Sequence, residues 1–248
     1  MLQKNQPDFD VEGANALLAG ASAELVVRWG WDRFGQSMVM SSSFGAQSAV
    51  MLHLVTQVAP GVPVVLVDTG YLFPETYQFV EELTERLSLN LHVVTPRVSA
   101  ARLEATQGQL WTQGAAGHQA YNEMFKVEPM ERALDELKAT AWLAGLRAEQ
   151  TKHRAGLKRL EVQDGMVKLH PILPWTRRDV GRYMVKHDLP YHPLVEKGYA
   201  SIGDTHSTRP LAAGESERDG RFHGLAEECG LHVPKSLGED ESMESAGL

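Results

Sequence analysis

Residues 62–70 read VPVVLVDTG, and this stretch decides the fold. Five apolar residues, four of them valine, lead into Asp68-Thr69-Gly70, which is typical of a short strand buried inside a sheet. Pro60-Gly61 ends the segment before this strand, and Pro74 favours the start of a helix after it. A buried strand between two helical segments predicts a parallel sheet.

Strands and helices alternate on both sides of this stretch. We predict further strands in SMVMSSSFG (37–45), NLHVVTP (90–96) and TAWLAGLR (140–147). Helical spacing of apolar residues predicts helices over 10–29, 46–58, 74–89 and 127–138. The expected fold class is therefore α/β, with a twisted parallel sheet that carries helices on both faces. From about residue 190 onward Pro and Gly are frequent, and we expect a mobile C-terminal tail.

The composition limits the classes of partner. The 248 residues carry a net charge of −8, yet residues 147–186 hold ten Lys or Arg against four Asp or Glu. A basic segment inside an acidic protein argues against a broad nucleic-acid surface and for a focused anionic ligand, although a solvated helix face would look the same. With no apolar run of membrane length and no secretory signal, we expect a cytoplasmic protein with no membrane partner.

Polar stretches follow three of the predicted strands, at the edge of a parallel sheet where ligands bind. They are SSSFGAQS (41–48), VDTGYLFPETY (67–77) and GLRAEQTKHRAGLKR (145–159). The serine-rich turn could hold an anion on its backbone N–H groups, or it could simply cap the next helix. Asp68 could bond a ribose or cap the helix near Pro74. Arginine forks bind phosphate and sulfate oxygens in pairs, which favours a ligand role for the third stretch.

These stretches belong to a set of six motifs that occur in the order SSSFGAQSAV (41–50), VDTGYLFPETY (67–77), FKVEPM (125–130), GLRAEQTKHRAGL (145–157), YASIGDTHSTRP (199–210) and ECGLH (228–232). In these motifs the chain resembles the phosphoadenosine phosphosulfate reductases, the sulfonucleotide reductases of assimilatory sulfate reduction, over about residues 35–233. The resemblance implies a fold similar to that of the adenine nucleotide α-hydrolases and ATP pyrophosphatases. It also implies three parts, namely an N-terminal helical segment (1–34), a nucleotide-binding α/β domain (35–212) and a C-terminal tail with the catalytic cysteine (213–248).

The same resemblance implies an enzyme that reduces 3′-phosphoadenylyl sulfate to sulfite and adenosine 3′,5′-bisphosphate. Cys229, the sole cysteine, is then the nucleophile that becomes S-sulfonated. Because the chain has no second cysteine, an external dithiol protein must release the sulfite, and the resemblance names thioredoxin or glutaredoxin. His232 and His206 are candidate assisting groups. A homodimer is also implied.

Substrate-binding residues are carried over by motif position. The residues expected around the phosphosulfate are Ser41, Ser43, Gly45 and Ser48. Asp68 and Gly70 are expected near the adenosine. The expected anion clamp consists of Lys126, Arg147, Arg154 and Arg209.

This chain departs from part of the family at four positions, and the residues at these positions distinguish two branches of the family. Relatives that use adenosine phosphosulfate hold an iron–sulfur cluster on cysteines, whose matching positions here are Tyr121, Asn122, Asp204 and Ser207. We therefore expect no cluster, no other cofactor and no metal, and a 3′-phosphorylated substrate. The alternatives are adenosine phosphosulfate as the substrate, an adenylating enzyme on the same fold, and a nucleotide-binding regulatory protein in which Cys229 is a redox sensor.

Overall fold

A computed structural model describes residues 8–212, 214–215, 219–221 and 231 of the protein. Within these residues, six strands form one sheet with the spatial order β3-β2-β1-β4-β6-β5. The strands are β1 (Met38–Ser41), β2 (Pro63–Val67), β3 (Asn90–Val94), β4 (Ala141–Leu143), β5 (Leu160–Gln163) and β6 (Met166–Leu169). All neighbouring pairs are parallel except β5 and β6, which are antiparallel.

Helices connect the strands and cover the sheet. They are α1 (Val11–Leu18), α2 (Ala23–Phe34), α3 (Ala49–Val58), α4 (Pro74–Leu87), α5 (Ala100–Gln107), α6 (Gly114–Asn122), α7 (Glu128–Glu136), α8 (Lys152–Ala155) and α9 (Arg177–Lys186). A π-helical turn, Glu123–Val127, joins α6 to α7. Of the helices in the described ranges, none has the length and the apolar content that crossing a membrane requires.

Residues of the central strands alternate between two cores, as the two-residue period of a strand requires. On one face, Met40, Val64 and Leu143 pack with residues of α1 to α4 and α9. On the other face, Val39, Val65 and Trp142 pack with residues of α7, which are Met130, Ala133 and Leu134. Helices therefore cover both faces of the sheet, and the predicted α/β fold class is confirmed.

Two details of the predicted fold are wrong. The sheet is not wholly parallel, because β5 and β6 form an edge hairpin around Asp164 and Gly165, both of which have positive φ. The single helix predicted over 10–29 is two helices. Ser22 caps α2 by accepting a hydrogen bond from the Leu25 N–H, so the chain turns between α1 and α2 instead of continuing as one helix. The division of the chain at residue 34 stays a prediction.

Candidate active site

A cavity of about 290 Å³ opens at the carboxyl ends of β1, β2 and β4. Its polar lining includes Ser41 and the loop after β1, Thr69 after β2, and Arg147 after β4. In a parallel sheet these strand ends lie at one edge, which is where the three polar stretches were expected to meet. Among the described residues, four basic side chains and one carboxylate line the cavity. The basic residues are Lys126, Arg147, Arg154 and Arg221, and the carboxylate is that of Asp204.

The loop between β1 and α3 has a constrained backbone. Phe44 adopts a positive φ of 48°, and its N–H bonds the Ser42 hydroxyl at 3.1 Å. Its ring is fully buried in the core beneath the loop. Positive φ is unfavourable for a bulky residue, so ring burial must hold this turn in place. A Cβ on Gly45 would lie 3.4 Å from the Ile202 carbonyl oxygen, an ordinary van der Waals distance, so the loop packs closely against the backbone of residue 202.

Seven of the predicted binding residues line the cavity together, and they are Ser41, Ser43, Gly45, Ser48, Lys126, Arg147 and Arg154. Asp68 makes local contacts, because its Oδ1 accepts hydrogen bonds from the Gly70 N–H at 2.8 Å and the Tyr77 hydroxyl at 2.7 Å. Arg209 forms a two-pronged ion pair with Glu215, with both N–O distances at 2.7 Å. Asp68, Gly70 and Arg209 do not line the cavity, and the binding roles of all ten residues stay predictions.

Two of the three arginines that line the cavity, Arg147 and Arg154, are held in place by neighbouring side chains. Arg147 is 3% exposed, pairs with Glu149, and donates to the Gln47 side chain at 3.5 Å. Gln150 accepts hydrogen bonds from the backbone N–H of Arg147 at 3.1 Å and from the Arg154 guanidinium. Two guanidinium groups fixed at one side of a cavity have the chemistry to bind an anion.

Lys126 reaches the cavity from the π-helical turn and pairs with Asp204. Its Nζ lies 2.7 Å from Asp204 Oδ2, and both side chains are almost completely buried. The Thr69 hydroxyl donates to Asp204 Oδ1 at 2.6 Å. Although burial alone would raise the pKa of Asp204, Lys126 and Thr69 lower it below the usual range for an aspartate, so the carboxylate is ionised.

Of the four positions expected to match the cluster cysteines, two belong to or adjoin this ion pair, namely Asp204 and Tyr121. Tyr121, Asn122, Asp204 and Ser207 are all buried. The Tyr121 ring centroid lies 5.3 Å from Lys126 Nζ, and burial raises the pKa of its hydroxyl well above the ordinary value. Searching the described residues finds no group of three His, Cys, Asp or Glu that could hold a metal ion. The ammonium group of Lys126, the carboxylate of Asp204 and the phenol of Tyr121 therefore lie close together.

His206 lies in an aromatic cluster next to Asp204. Its ring stacks on Trp111 with centroids 3.8 Å apart, and it meets Tyr71 and Tyr121 edge to face. Burial lowers the pKa of His206 to about 4, so its imidazole is neutral near pH 7. A neutral stacked ring fits a packing role more readily than the assisting role that we expected.

Sequence reasoning missed two residues from the C-terminal part of the chain. Arg221 lines the cavity and lies over Gly203, where a Cβ would come within 2.4 Å of its guanidinium. Leu231 also lines the cavity, and Lys168 donates to its carbonyl oxygen at 3.1 Å. Cys229, His232 and most of the predicted tail lie outside the described residues. The one signal in the sequence for the Arg221 contact is Gly203 in the GDTHSTRP motif, because a larger residue there would collide with the guanidinium.

The chain was compared with known proteins. Residues 37–210 match the phosphoadenosine phosphosulfate reductase domain family. A phosphoadenosine 5′-phosphosulfate reductase from Alkalilimnicola ehrlichii is 58% identical over 90% of this chain and 91% of its own length. One from Synechocystis sp. is 52% identical over 97% of each chain.

Solved structures give the same result for the fold. A phosphoadenylyl-sulfate reductase from Candida auris, in a phosphate complex, has a TM-score of 0.72 and 29% identity, and the match covers 83% of this chain and 100% of that one. An FMN adenylyltransferase from Candida glabrata, with FMN and an ATP analogue, has a TM-score of 0.55 at 14% identity over 97% of this chain and 83% of that one. The second match shows a shared fold and nothing further.

Proposed function

The chain belongs to the phosphoadenosine phosphosulfate reductase family, and we propose that it reduces 3′-phosphoadenylyl sulfate to sulfite and adenosine 3′,5′-bisphosphate in assimilatory sulfate reduction. The observation that carries this proposal is the cavity at the strand ends, where Lys126, Arg147 and Arg154 face the serine-rich loop. Such a cavity suits a substrate that carries a phosphosulfate group.

In the first half-reaction, the Cys229 thiolate attacks the sulfur atom of the phosphosulfate. A bond forms between Cys229 Sγ and the sulfate sulfur, while the bond from that sulfur to the bridging phosphate oxygen breaks. The electron pair of the broken bond leaves on adenosine 3′,5′-bisphosphate. The enzyme then carries an S-sulfonated Cys229, in line with the sole cysteine of the chain acting as the nucleophile.

In the second half-reaction, a thiolate of a dithiol protein attacks Cys229 Sγ, and sulfite leaves with the bonding electron pair. The second thiol of that protein then resolves the mixed disulfide and returns Cys229 to its thiolate. Two electrons pass from the dithiol to sulfur, and the two thiol protons pass to water. Thioredoxin or glutaredoxin is the proposed donor, because the chain supplies no second thiol of its own.

The basic side chains act on the leaving group. Negative charge grows on the phosphate oxygen as the bond from sulfur breaks, and a cation fixed near that oxygen lowers the barrier. On one side of the cavity Glu149 pairs with the Arg147 guanidinium and Gln150 accepts from the Arg154 guanidinium, and on another side Asp204 holds Lys126. Ser41, Ser43, Gly45 and Ser48 are the proposed contacts of the phosphosulfate itself.

The proposed substrate carries a 3′-phosphate, and the proposed enzyme works without an iron–sulfur cluster. The support is the set of non-cysteine residues at the four expected cluster positions, which are all buried and include Asp204, the partner of Lys126. A homodimer in the cytoplasm, with a C-terminal segment from residue 213 that carries the nucleophile, completes the proposal.

A coupled assay tests this function. Sulfite release is measured with either sulfonucleotide, with and without reduced thioredoxin. We expect sulfite only when 3′-phosphoadenylyl sulfate and the dithiol are both present, and none from the Cys229→Ser variant, which still binds the nucleotide. Turnover of adenosine phosphosulfate alone would contradict the specificity, and full activity of Cys229→Ser would contradict the mechanism.

A further inference from the structure

Lys168 is a charged residue in the interior of the sheet. It lies in the middle of β6, and only 3% of its surface is exposed. Its neighbours in the strand, Val167 and Leu169, point into one core, so Lys168 points to the opposite face together with Met166. An ammonium group is costly to bury and persists where specific partners compensate it. Neither the fold nor the clamp described above requires a lysine here.

Two partners of this ammonium group are defined. Trp142 is the residue beside Lys168 on the neighbouring strand β4, and Lys168 Nζ lies 4.3 Å from the centroid of its ring. A cation at this distance over an indole ring is stabilised by the ring electrons. The second partner is the carbonyl oxygen of Leu231, 3.1 Å from Nζ. Lys168 thus joins the sheet to the C-terminal segment.

Leu231 is an informative contact because it lies two residues beyond Cys229. Its side chain packs against the core on this face of the sheet and contributes to the cavity lining. Two residues of chain span at most about 7 Å. A fixed carbonyl at residue 231 therefore restricts the region that the thiol can reach, and that region adjoins the cavity.

Trp142 connects Lys168 to the serine-rich loop between β1 and α3. Its Nε1–H donates to the Ser41 hydroxyl at 2.8 Å, and Ser41 lines the cavity at the end of β1. The Trp142 ring therefore contacts both Lys168, which holds Leu231, and Ser41, which lies at the start of the serine-rich loop.

We propose that Lys168 is a positioning residue, which holds the C-terminal segment at Leu231 so that Cys229 is presented to the phosphosulfate. The inference rests on the proposed function, since it assumes that Cys229 is the nucleophile. Lys168 acts through the backbone carbonyl of residue 231 and does not contact the substrate. Its removal should slow the attack of the thiolate and leave nucleotide binding in place.

The test uses the full chain with Lys168→Met, which keeps the length of the side chain and removes the ammonium group. The affinity for adenosine 3′,5′-bisphosphate is measured by calorimetry, and S-sulfonation of Cys229 is followed by quenched intact-mass spectrometry. We expect the rate of S-sulfonation to fall by about 10- to 100-fold, the loss typical of one charged hydrogen bond, with the nucleotide affinity within about threefold of wild type. Lys168→Arg, which keeps the charge and the donor, should recover most of the rate.

Lys186→Met is the matched control, because Lys186 is an exposed lysine at the end of α9. An equal rate of S-sulfonation in Lys168→Met and wild type would overturn the inference. Parallel losses of nucleotide affinity and rate would also overturn it, since they indicate a structural role alone. If the Met variant does not fold, Lys168→Leu supplies the same comparison, because it also has neither a charge nor a donor. Absence of S-sulfonation in the wild-type protein would instead reject the proposed function.

Discussion

At the scale of single residues, the buried pair of Lys126 and Asp204 determines the chemistry of the cavity. Burial of two charges is favourable only when geometry and further hydrogen bonds compensate for lost hydration. Here the Nζ–Oδ2 distance is 2.7 Å, and Thr69 donates to the other carboxylate oxygen. The pair limits the movement of the Lys126 ammonium group, as its proposed role in an anion clamp requires.

Asp204→Asn tests this role. The amide leaves the ammonium of Lys126 without its counter-charge, so we expect kcat/KM for 3′-phosphoadenylyl sulfate to fall by about 10- to 100-fold. The measurement is steady-state sulfite release at a temperature where circular dichroism shows the variant folded. Glu75→Gln breaks an exposed ion pair with the same 2.7 Å distance, to Lys197, and should change little. A kcat/KM of Asp204→Asn within about twofold of wild type would contradict the role.

His192 gives a prediction about stability and pH. Its Nδ1 accepts the Leu194 N–H at 3.1 Å, and its Nε2 lies 3.0 Å from the Thr76 hydroxyl, so the neutral ring is the form that fits. Burial lowers the pKa of His192 to about 4. Between its ordinary pKa near 6.5 and about 4, the unfolded chain binds a proton that the folded protein does not, so stability falls as the pH falls.

Urea unfolding at two pH values measures this contribution. Between about pH 8 and about pH 5 the free energy of unfolding should lose about 2 kcal/mol through His192 alone. His192→Gln, which cannot take up a proton, should lose that much less than wild type over the same interval. Equal losses in the two proteins would show that His192 titrates normally in the folded state.

At the scale of elements, the loop between β1 and α3 depends on one buried ring. Phe44 holds a positive φ, and its side chain is 0% exposed. Truncating it removes the packing that keeps the turn in an unfavourable conformation. The serines around it would then lose their fixed positions at the cavity.

Phe44→Ala should therefore have two effects. We expect a loss of about 3–5 kcal/mol in the free energy of unfolding, as for other large-to-small core changes, and a higher KM for the sulfonucleotide. Leu83→Ala in α4 is the matched control, because Leu83 is equally buried in the same core and lies outside the cavity lining. It should lose stability with its KM preserved. A rise in KM of equal size in both variants would argue against the special role of the loop.

The elements also show which parts of the fold the sequence predicts. The strand 63–67 and helices α3, α4 and α7 follow from apolar period and proline placement, and the structure confirms them. The β5–β6 hairpin was missed although Asp164-Gly165 is a typical two-residue turn, because its strands are four residues long and one contains a buried lysine. Local patterns identify long periodic elements, whereas short strands depend on tertiary pairing.

At the scale of the whole molecule, the site combines residues from distant parts of the chain. Tyr121 and Lys126 meet Asp204 only after folding, and Arg221 lies over Gly203. Motif order predicted that Lys126, Arg147 and Arg154 belong to one site, but it gave no partner for Lys126. Such partners are set by packing across the sheet edge, which a single sequence does not encode in any local pattern.

The proposed need for an external dithiol likewise concerns the whole chain, which has one cysteine. A thioredoxin whose second cysteine is replaced by serine should attack S-sulfonated Cys229 and remain attached as a mixed disulfide. Non-reducing electrophoresis detects the complex. It should be absent with Cys229→Ser and should not accumulate with the intact dithiol. Release of sulfite without a trapped complex would mean that the thioredoxin thiolate attacks an atom other than Cys229 Sγ, which would contradict the proposed second half-reaction.

The most direct measurement of the central claim is intact-protein mass spectrometry of the reduced enzyme mixed with 3′-phosphoadenylyl sulfate in the absence of any thiol. The account predicts a gain of one SO₃ group, mapped to Cys229 by peptide analysis, with one adenosine 3′,5′-bisphosphate released per adduct. Addition of reduced thioredoxin should remove the adduct and release sulfite. An unmodified protein that binds the nucleotide and forms no adduct would contradict the account.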